Sequence, residues 1–97
     1  MSTIVLLEMQ IKPELAEKVK GGLKALLPDT RGYAGCQSID VYENLDSKGN
    51  LVVYEQWDSR PHYERYLAWR TETGVMAELA KNLTQPPSIR YFERVDA

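Results

Sequence analysis

The sequence has few of the residues on which most catalytic mechanisms depend. Among its 97 residues are one histidine, His62, and one cysteine, Cys36. A single cysteine excludes an internal disulfide, and these two residues are too few for a zinc site built from cysteine and histidine. A glycine-rich phosphate loop, a Ser-His-Asp set and a nucleophile elbow are also missing. We therefore expect no cofactor and no metal, although a metal site made of carboxylates alone stays open.

The charges disfavour a nucleic-acid partner. Twelve Lys and Arg residues against fourteen Asp and Glu residues give a net charge of -2, and the two signs are interspersed instead of forming a basic stripe. The N-terminal segment has no basic leader, and Glu8 interrupts its apolar run, so it predicts neither a signal peptide nor a membrane span. We expect a cytoplasmic protein without nucleic-acid or membrane partners.

The first strand and helix patterns belong to a single predicted domain over 1–97. Apolar and β-branched residues predict a strand over 3–11. Apolar residues at spacings of three and four predict an amphipathic helix over 14–27, which a glycine pair should weaken and Pro28 should end. A chain of this size has little apolar area to spare, so a second subunit would help to stabilise it.

The rest of the chain continues the alternation. Segments 36–44 and 51–57 have the pattern of a β-hairpin around turn residues. Either Asp58 or Ser59 should cap a helix that runs to about residue 71 or 73, and Gly74 breaks the chain before a short periodic segment. A last strand is predicted over 88–95. The resulting β-α-β-β-α-β order predicts an α+β, ferredoxin-like fold with two helices on one face of a four-stranded antiparallel sheet.

Both faces of the predicted sheet are apolar. In the first strand Ile4 and Leu6 alternate with Val5 and Leu7, so neither face is polar. The helices can bury only one face, and the other would be an exposed apolar patch unless a second subunit covers it. We expect a homodimer packed sheet on sheet, with these candidate interface residues: Val5, Leu7, Met9, Val52, Tyr54 and Phe92.

Short motifs in this order resemble those of the antibiotic biosynthesis monooxygenase family. They are Gly35-Cys36 at the start of the second strand, the E-x-W of Glu55 to Trp57, and the W-x-S-R of Trp57 to Arg60 before a helix. The resemblance covers nearly the whole chain. It implies a dimeric α+β barrel in which each subunit has a pocket between its sheet and its helices. Some members of this family oxidise polycyclic phenols or quinols with O₂ and without metal or flavin, and others degrade haem.

Two departures from the family pattern concern histidines. Many relatives of the quinol-oxidising type have a pocket histidine nine residues after the family tryptophan, where this chain has Tyr66. The haem-degrading branch needs a tryptophan near that position and a histidine ten residues later, and here these positions are Tyr66 and Met76. The resemblance therefore does not extend to haem degradation. We expect the single histidine, His62, to be a surface residue of the first helical turn.

The segment from Leu51 to Arg70 holds the candidate site residues. We expect Glu55, Tyr66 and Arg70 to be catalytic, because a carboxylate on a covered strand face and a helical Tyr-Arg pair four residues apart can reach one cavity. The candidate substrate-binding residues are Arg31, Trp57, Tyr63 and Trp69. Structural roles stay open: Glu55 could simply pair with an Arg or Tyr, the aromatic residues could be core, and Arg31 could be solvated or paired with Asp29.

These expectations lead to a functional hypothesis with two alternatives. The hypothesis is a cofactor-independent monooxygenase acting on a phenolic, quinol or polycyclic aromatic molecule. The first alternative is a binding or sensor protein for an aromatic or hydrophobic metabolite, which the missing pocket histidine favours. The second is a small isomerase in which Glu55 shuttles a proton.

Overall fold

A computed structural model describes residues 2–97 and confirms the predicted β-α-β-β-α-β order, with one additional short helix. Met1, the first residue of the predicted domain, lies outside the described residues. The elements are β1 (Thr3–Gln10), α1 (Ala16–Arg31), β2 (Cys36–Glu43), β3 (Asn50–Trp57), α2 (Arg60–Glu72), α3 (Val75–Ala80) and β4 (Ser88–Phe92). A 3₁₀ turn, Pro13–Leu15, leads into α1.

The four strands form one antiparallel sheet in the order β2-β3-β1-β4. This is the strand order of a ferredoxin-like fold, so the predicted fold class is confirmed. β1 lies between β3 and β4, with Val5 opposite Glu55 on one side and opposite Tyr91 on the other. Burial alternates along β1 as expected for a strand: Val5, Leu7 and Met9 are buried, and the residues between them are half-buried. No helix within residues 2–97 has the length and apolarity to cross a membrane.

The strand register corrects the predicted interface. Val5, Leu7 and Met9 lie opposite Glu55, Val53 and Leu51, and this side of the sheet, here called the helix face, packs against the helices. The expectation that Val5, Leu7 and Met9 contact a second subunit is therefore wrong, because these residues belong to the subunit's own core. The opposite side, here called the open face, carries the following apolar residues: Ile4, Leu6, Val52, Tyr54 and Phe92.

Helix α1 is longer than its sequence predicts. Pro28 was expected to end it near Leu27, but the helix includes Pro28 and continues to Arg31. The last turn is held by other bonds: the N–H of Gly32 donates to the carbonyl of Pro28, and a side chain from α2, Arg70, donates to the backbone and hydroxyl of this turn. Tertiary hydrogen bonds thus outweigh the local preference of proline against the helix interior.

Helix α2 begins and ends as predicted. Ser59 is its N-cap, and its hydroxyl accepts a hydrogen bond from the N–H of His62 at 3.3 Å, while Pro61 lies in the first turn. The helix ends at Glu72, and Gly74, with a φ of 85°, separates it from α3. The chain therefore turns at Gly74 and places α3 beside α2, where both helices help to enclose the space above the sheet.

Candidate functional site

A cavity of about 500 Å³ lies between the helix face of the sheet and the three α-helices. Its walls are mainly aliphatic, with Leu7 and Val53 from the sheet, Leu23 and Leu27 from α1, and Leu79 from α3. Cavities of this volume and polarity are typical of small-molecule sites. The cavity is also the place where four of the seven predicted site residues meet, namely Glu55, Tyr63, Tyr66 and Arg70.

Glu55 places a carboxyl group in the cavity wall. Its side chain is 2% exposed, and burial raises its pKa to about 7 although the indole Nε1 of Trp57 donates to Oε1 at 3.0 Å and opposes the shift. Within residues 2–97, no hydrogen bond engages Oε2, and no fully buried side-chain oxygen lacks a partner. Since the residue lines the cavity, Oε2 borders the cavity space and is free to accept a proton.

Tyr63 lies beside Glu55 and stays protonated. Its side chain is 1% exposed, and burial, together with the negative charge of Glu55, raises the pKa of its phenol far above the ordinary value. Its ring packs edge-on against Trp57, with 5.6 Å between the ring centroids. Tyr63 can therefore donate a hydrogen bond into the cavity but does not act as a base there.

Arg70, Tyr66 and Thr30 form a closed hydrogen-bond network at the cavity wall. The guanidinium of Arg70 donates from Nε to the Tyr66 hydroxyl at 3.0 Å and from Nη2 to Thr30 Oγ1 at 3.0 Å. The two hydroxyls are themselves 2.7 Å apart, and Nη2 also donates to the carbonyl of Leu26 at 3.1 Å. The network fixes the guanidinium from three directions, so its position does not depend on a bound ligand.

The charge of Arg70 is not neutralised by a carboxylate. Its side chain is 5% exposed, and none of the ion pairs found within residues 2–97 includes it. All its hydrogen-bond partners in the described chain are neutral oxygens, and none of these bonds engages Nη1. Because a buried cation is stabilised by an anionic partner, this arrangement favours a ligand with negative charge or a carbonyl oxygen.

Three of the predicted site residues do not line the cavity. Arg31 lies on the far side of α1, where it donates to the carbonyl of Ile39 at 3.1 Å and lies 4.0 Å from Asp40 instead of pairing with Asp29. Trp57 is fully buried behind Glu55 and supports the site through its indole N–H. Trp69 stacks on Tyr33, with ring centroids 5.2 Å apart, and flanks the guanidinium of Arg70.

The single histidine and the single cysteine also lie outside the cavity lining. The ring of His62 is half-buried against Gly35 instead of fully exposed, and its Nδ1 lies 2.6 Å from the hydroxyl of Ser59. Cys36 is half-buried, and burial raises the pKa of its thiol, as expected for an unreactive side chain. In the part of the chain that the structure describes, no three His, Cys, Asp or Glu side chains are grouped so that they could hold a metal ion.

Sequence reasoning missed two residues of the site. Thr30 bonds to both Tyr66 and Arg70, but it lies beyond Pro28, where the sequence predicts that α1 ends. Tyr33 contacts Tyr66, Trp57 and Trp69 and joins them into one aromatic cluster. The signal for Thr30 was its position three to four residues after two leucines of the α1 apolar stripe, Leu26 and Leu27, which a helix continuing past Pro28 would have extended.

Comparison with solved structures supports the fold. A conserved protein from Methanosarcina mazei Go1 superimposes with a TM-score of 0.89 at 20% identity, covering 98% of this chain and 94% of the other. The structure of Rv0793 from Mycobacterium tuberculosis gives a TM-score of 0.86 at 25% identity, covering 100% and 98% of the two chains. The M. mazei likeness, at 20% identity, bears on the fold alone.

Comparison of sequences identifies the family. Rv0793 is 28% identical to this chain over 85 residues, which are 88% of this chain and 83% of the relative. The model of the family described as antibiotic biosynthesis monooxygenase matches residues 2–71, which include β1 to β3 and most of α2. The match covers well over half of the chain. It includes all four predicted site residues that line the cavity, namely Glu55, Tyr63, Tyr66 and Arg70. The chain therefore belongs to the antibiotic biosynthesis monooxygenase family.

Proposed function

We propose that this protein is a monooxygenase that oxidises a phenol or quinol with O₂ in the cavity above the sheet. One observation carries the proposal: a carboxyl group with a pKa of about 7, Glu55, and a cation without a carboxylate partner, Arg70, line the same mainly aliphatic cavity. The first can take a proton from a phenol near neutral pH, and the second can stabilise the phenolate that results. The M. tuberculosis relative, Rv0793, is named as a candidate monooxygenase, which agrees with this assignment.

Glu55 is the proton acceptor in this mechanism. A general base works best when its pKa is close to the operating pH, and burial brings the pKa of Glu55 to about 7. Its Oε1 is held by Trp57, so the carboxylate keeps a fixed orientation while Oε2 borders the cavity. The substrate hydroxyl transfers its proton to Oε2.

Arg70 stabilises the anion that this transfer produces. The phenolate oxygen accepts a hydrogen bond from Nη1, which no other bond within residues 2–97 engages. Tyr66 acts as a positioning residue, since its hydroxyl accepts from Nε of Arg70 and pairs with Thr30. The side chain of Tyr66 thus orients the guanidinium of Arg70. A histidine at this position would instead exchange protons itself.

The oxygen chemistry follows from the electron-rich anion. The phenolate passes one electron to O₂, the substrate radical and superoxide combine to form a carbon–oxygen bond, and proton uptake gives a hydroperoxide. The hydroperoxide then breaks its O–O bond with loss of the ring hydrogen, giving a quinone and water. In the balanced reaction one phenol and one O₂ yield one quinone and one water, so the substrate supplies all the electrons and no separate reductant is consumed.

A binding protein is the second candidate function. It is favoured by the position of His62, which lies outside the cavity lining although many relatives resembling the quinol-oxidising type have a pocket histidine. An isomerase, in which Glu55 would move a proton within a bound substrate, uses the same carboxyl group. The mass of the product and the amount of O₂ consumed distinguish both of these functions from oxygenation.

The test is a panel of quinols and polycyclic phenols, with O₂ uptake and product mass measured for each. The monooxygenase predicts O₂ consumption and incorporation of one atom of ¹⁸O from labelled O₂. An altered spectrum with unchanged mass indicates the isomerase, binding alone indicates the binding protein, and either result overturns the proposal. The variants Glu55→Gln and Arg70→Gln should each lower turnover on the order of a hundredfold, and Arg65→Gln, an exposed residue of α2, is the matched control.

A further inference from the structure

The cavity is elongated along one helix. Its lining includes these residues of α1, which recur in pairs about one helical turn apart: Lys18, Val19, Gly22, Leu23, Leu26, Leu27 and Thr30. At a rise of about 1.5 Å per residue, the stretch from Lys18 to Thr30 is about 18 Å long. The cavity therefore follows α1 for most of its length instead of forming a compact space.

The polar groups of the proposed reaction, Glu55 and Arg70, lie at the Thr30 end of this cavity. Thr30 bonds to Tyr66 and Arg70, and the ring of Tyr66 lies 5.0 Å from that of Trp57, which donates to Glu55. The proposed proton acceptor and the unpaired cation are thus at the same end. A hydroxyl-bearing ring fits there, because it would meet both groups at once.

The middle of the cavity is aliphatic. Leu23, Leu26 and Leu27 line it from α1, and Val75, Met76 and Leu79 line it from α3. The aromatic rings in the lining, those of Tyr63 and Tyr66, belong to the polar end. An aliphatic wall over this length offers dispersion contacts to a chain but no aromatic faces on which a series of fused rings would stack.

The opposite end of the cavity has a polar rim. Lys18 from α1, Glu78 from α3 and Asn82 line it there, and Lys18 and Glu78 are exposed to solvent. This end is the side from which a long molecule reaches the solvent, since the Thr30 end is closed by the hydrogen-bond network and the buried tryptophan.

We infer that the substrate is a monocyclic phenol or quinol with a single alkyl or isoprenoid tail. The inference rests on the proposed function for the role of the ring, and on the shape and lining of the cavity for the tail. The ring hydroxyl lies between Glu55 and Arg70, and the tail runs along α1 between its leucines and those of α3 toward Lys18 and Glu78.

The first experiment measures affinity against tail length. Hydroquinone, butylhydroquinone and octylhydroquinone are titrated by calorimetry without oxygen, so that no turnover occurs. Burial of each methylene in the aliphatic section should strengthen binding about fourfold, so affinity should rise steeply from the first compound to the third. Equal affinities for the three compounds, or tighter binding of a tricyclic anthracene diol than of octylhydroquinone, would overturn the inference.

A pair of glycine variants tests where the tail lies. A Cβ added at Gly21 or at Gly22 meets no atom within 4 Å, but only Gly22 lines the cavity. Gly22→Phe should therefore fill the tail section and reduce the ratio of octylhydroquinone to hydroquinone affinity at least tenfold, while Gly21→Phe keeps the ratio. An unchanged ratio in both variants would show that the tail does not follow α1.

These experiments distinguish failure of the proposed monooxygenase activity from failure of the proposed tail site. Tail-dependent binding without O₂ uptake in air refutes the monooxygenase and supports the tail site, because the calorimetric measurement does not depend on turnover. O₂ uptake on quinols whose dissociation constants are independent of tail length refutes the tail site and supports the monooxygenase.

Discussion

The guanidinium of Arg70 donates from Nε to the hydroxyl of Tyr66 at 3.0 Å, one helical turn away on α2. The contact joins two residues that the sequence places on one helix face, and Thr30 closes the network from α1. The hydroxyl of Tyr66 accepts the hydrogen bond of a cation, whereas an imidazole at this position would compete for protons. The site thus holds a fixed positive charge at the wall of an aliphatic cavity.

Arg70→Gln tests what this charge contributes. The substitution removes the hydrogen bonds that the guanidinium donates to Tyr66, Thr30 and the carbonyl of Leu26. This should lower the free energy of unfolding by about 1 to 3 kcal/mol, while removal of the buried cation offsets part of that loss. Chemical denaturation measures the change. Arg65→Gln, at an exposed position of the same helix, should stay within about 0.5 kcal/mol of the wild type. Equal effects of the two substitutions would contradict the network's contribution to stability.

The buried carboxyl of Glu55 should make stability depend on pH. Burial raises its pKa from 4.5 to about 7, so the unfolded chain loses this proton at lower pH than the folded protein does. The folded state binds more protons between these values, and its stability therefore falls as pH rises from about 4.5 to about 7, by on the order of 3 kcal/mol.

Denaturation at several pH values, compared between wild type and Glu55→Gln, isolates this effect. The variant has no proton to lose at this position, so its stability relative to the wild type should increase across the same window and become constant above about pH 7. A difference between the two proteins that does not change with pH would contradict the raised pKa.

Trp57→Phe should raise the pKa of Glu55 further. Burial is the main cause of the existing shift, and the hydrogen bond from the indole Nε1 opposes it by stabilising the ionised carboxylate. Without this donor, the rise of kcat/KM with pH should move to higher pH, and so should the carboxyl titration followed by ¹³C NMR. Trp69→Phe is the matched control, because Trp69 stacks on Tyr33 and does not bond to Glu55. A midpoint that moves to lower pH in Trp57→Phe would contradict the assigned role of the indole.

The strands and the order of elements could be predicted from the sequence, but the sheet faces could not. Alternating residue types indicate a strand whichever side of it is buried. The strands predicted over 3–11, 36–44 and 51–57 therefore lie close to the observed bounds. When both sides are apolar, the alternation does not show which side the helices cover. Register decides this, and it places Val5 with Glu55 in the core.

The candidate site was predictable where it lies on one element. Tyr66 and Arg70 are four residues apart on a helix, so their common orientation follows from helical geometry. Arg31 and Thr30 were misjudged for one reason: Pro28 was expected to end α1, and in fact the helix carries Thr30 to the cavity and Arg31 to the other side, against Ile39. The tertiary hydrogen bonds that hold this turn come from a residue 40 positions away in sequence.

Gly35→Ala should destabilise the fold although Gly35 is not part of the cavity lining. Gly35 has a φ of 92°, and an added Cβ would lie 2.6 Å from the ring of His62, so the residue is constrained by both conformation and space. We expect a loss of about 2 to 5 kcal/mol in the free energy of unfolding.

Two further variants separate the causes of this loss. At Gly32, which has a negative φ, an added Cβ meets its nearest atom at 3.7 Å, so Gly32→Ala should be tolerated. Combining Gly35→Ala with His62→Ala removes the ring atoms but keeps the Cβ of residue 62, which would lie 2.7 Å from the added atom. The double variant should therefore recover a part of the steric loss and none of the conformational loss. Full recovery in the double variant would show that the positive φ contributes nothing.

The open face predicts assembly with a second copy of the chain. Tyr54 and Phe92 are 37% and 42% exposed there, and Leu6 lies between Tyr54 and Arg90 in the neighbouring strands. A two-fold axis would place this apolar surface against itself and remove it from water, and we expect sedimentation to show a dimer at micromolar concentration. A monomer at that concentration would refute this prediction.

Tyr54→Lys should dissociate such a dimer without unfolding the subunit. Asp40 lies directly opposite Tyr54 in β2, so the new ammonium group gains a cross-strand partner within the subunit. In the dimer, two lysines would lose hydration close to the axis, and we expect the dissociation constant to rise at least about tenfold. Leu45→Lys makes a similar change in the hairpin turn, at a fully exposed residue, and should leave the sedimentation unchanged. If both variants dissociate equally, the contact between subunits lies elsewhere, and if neither does, the open face is not part of it.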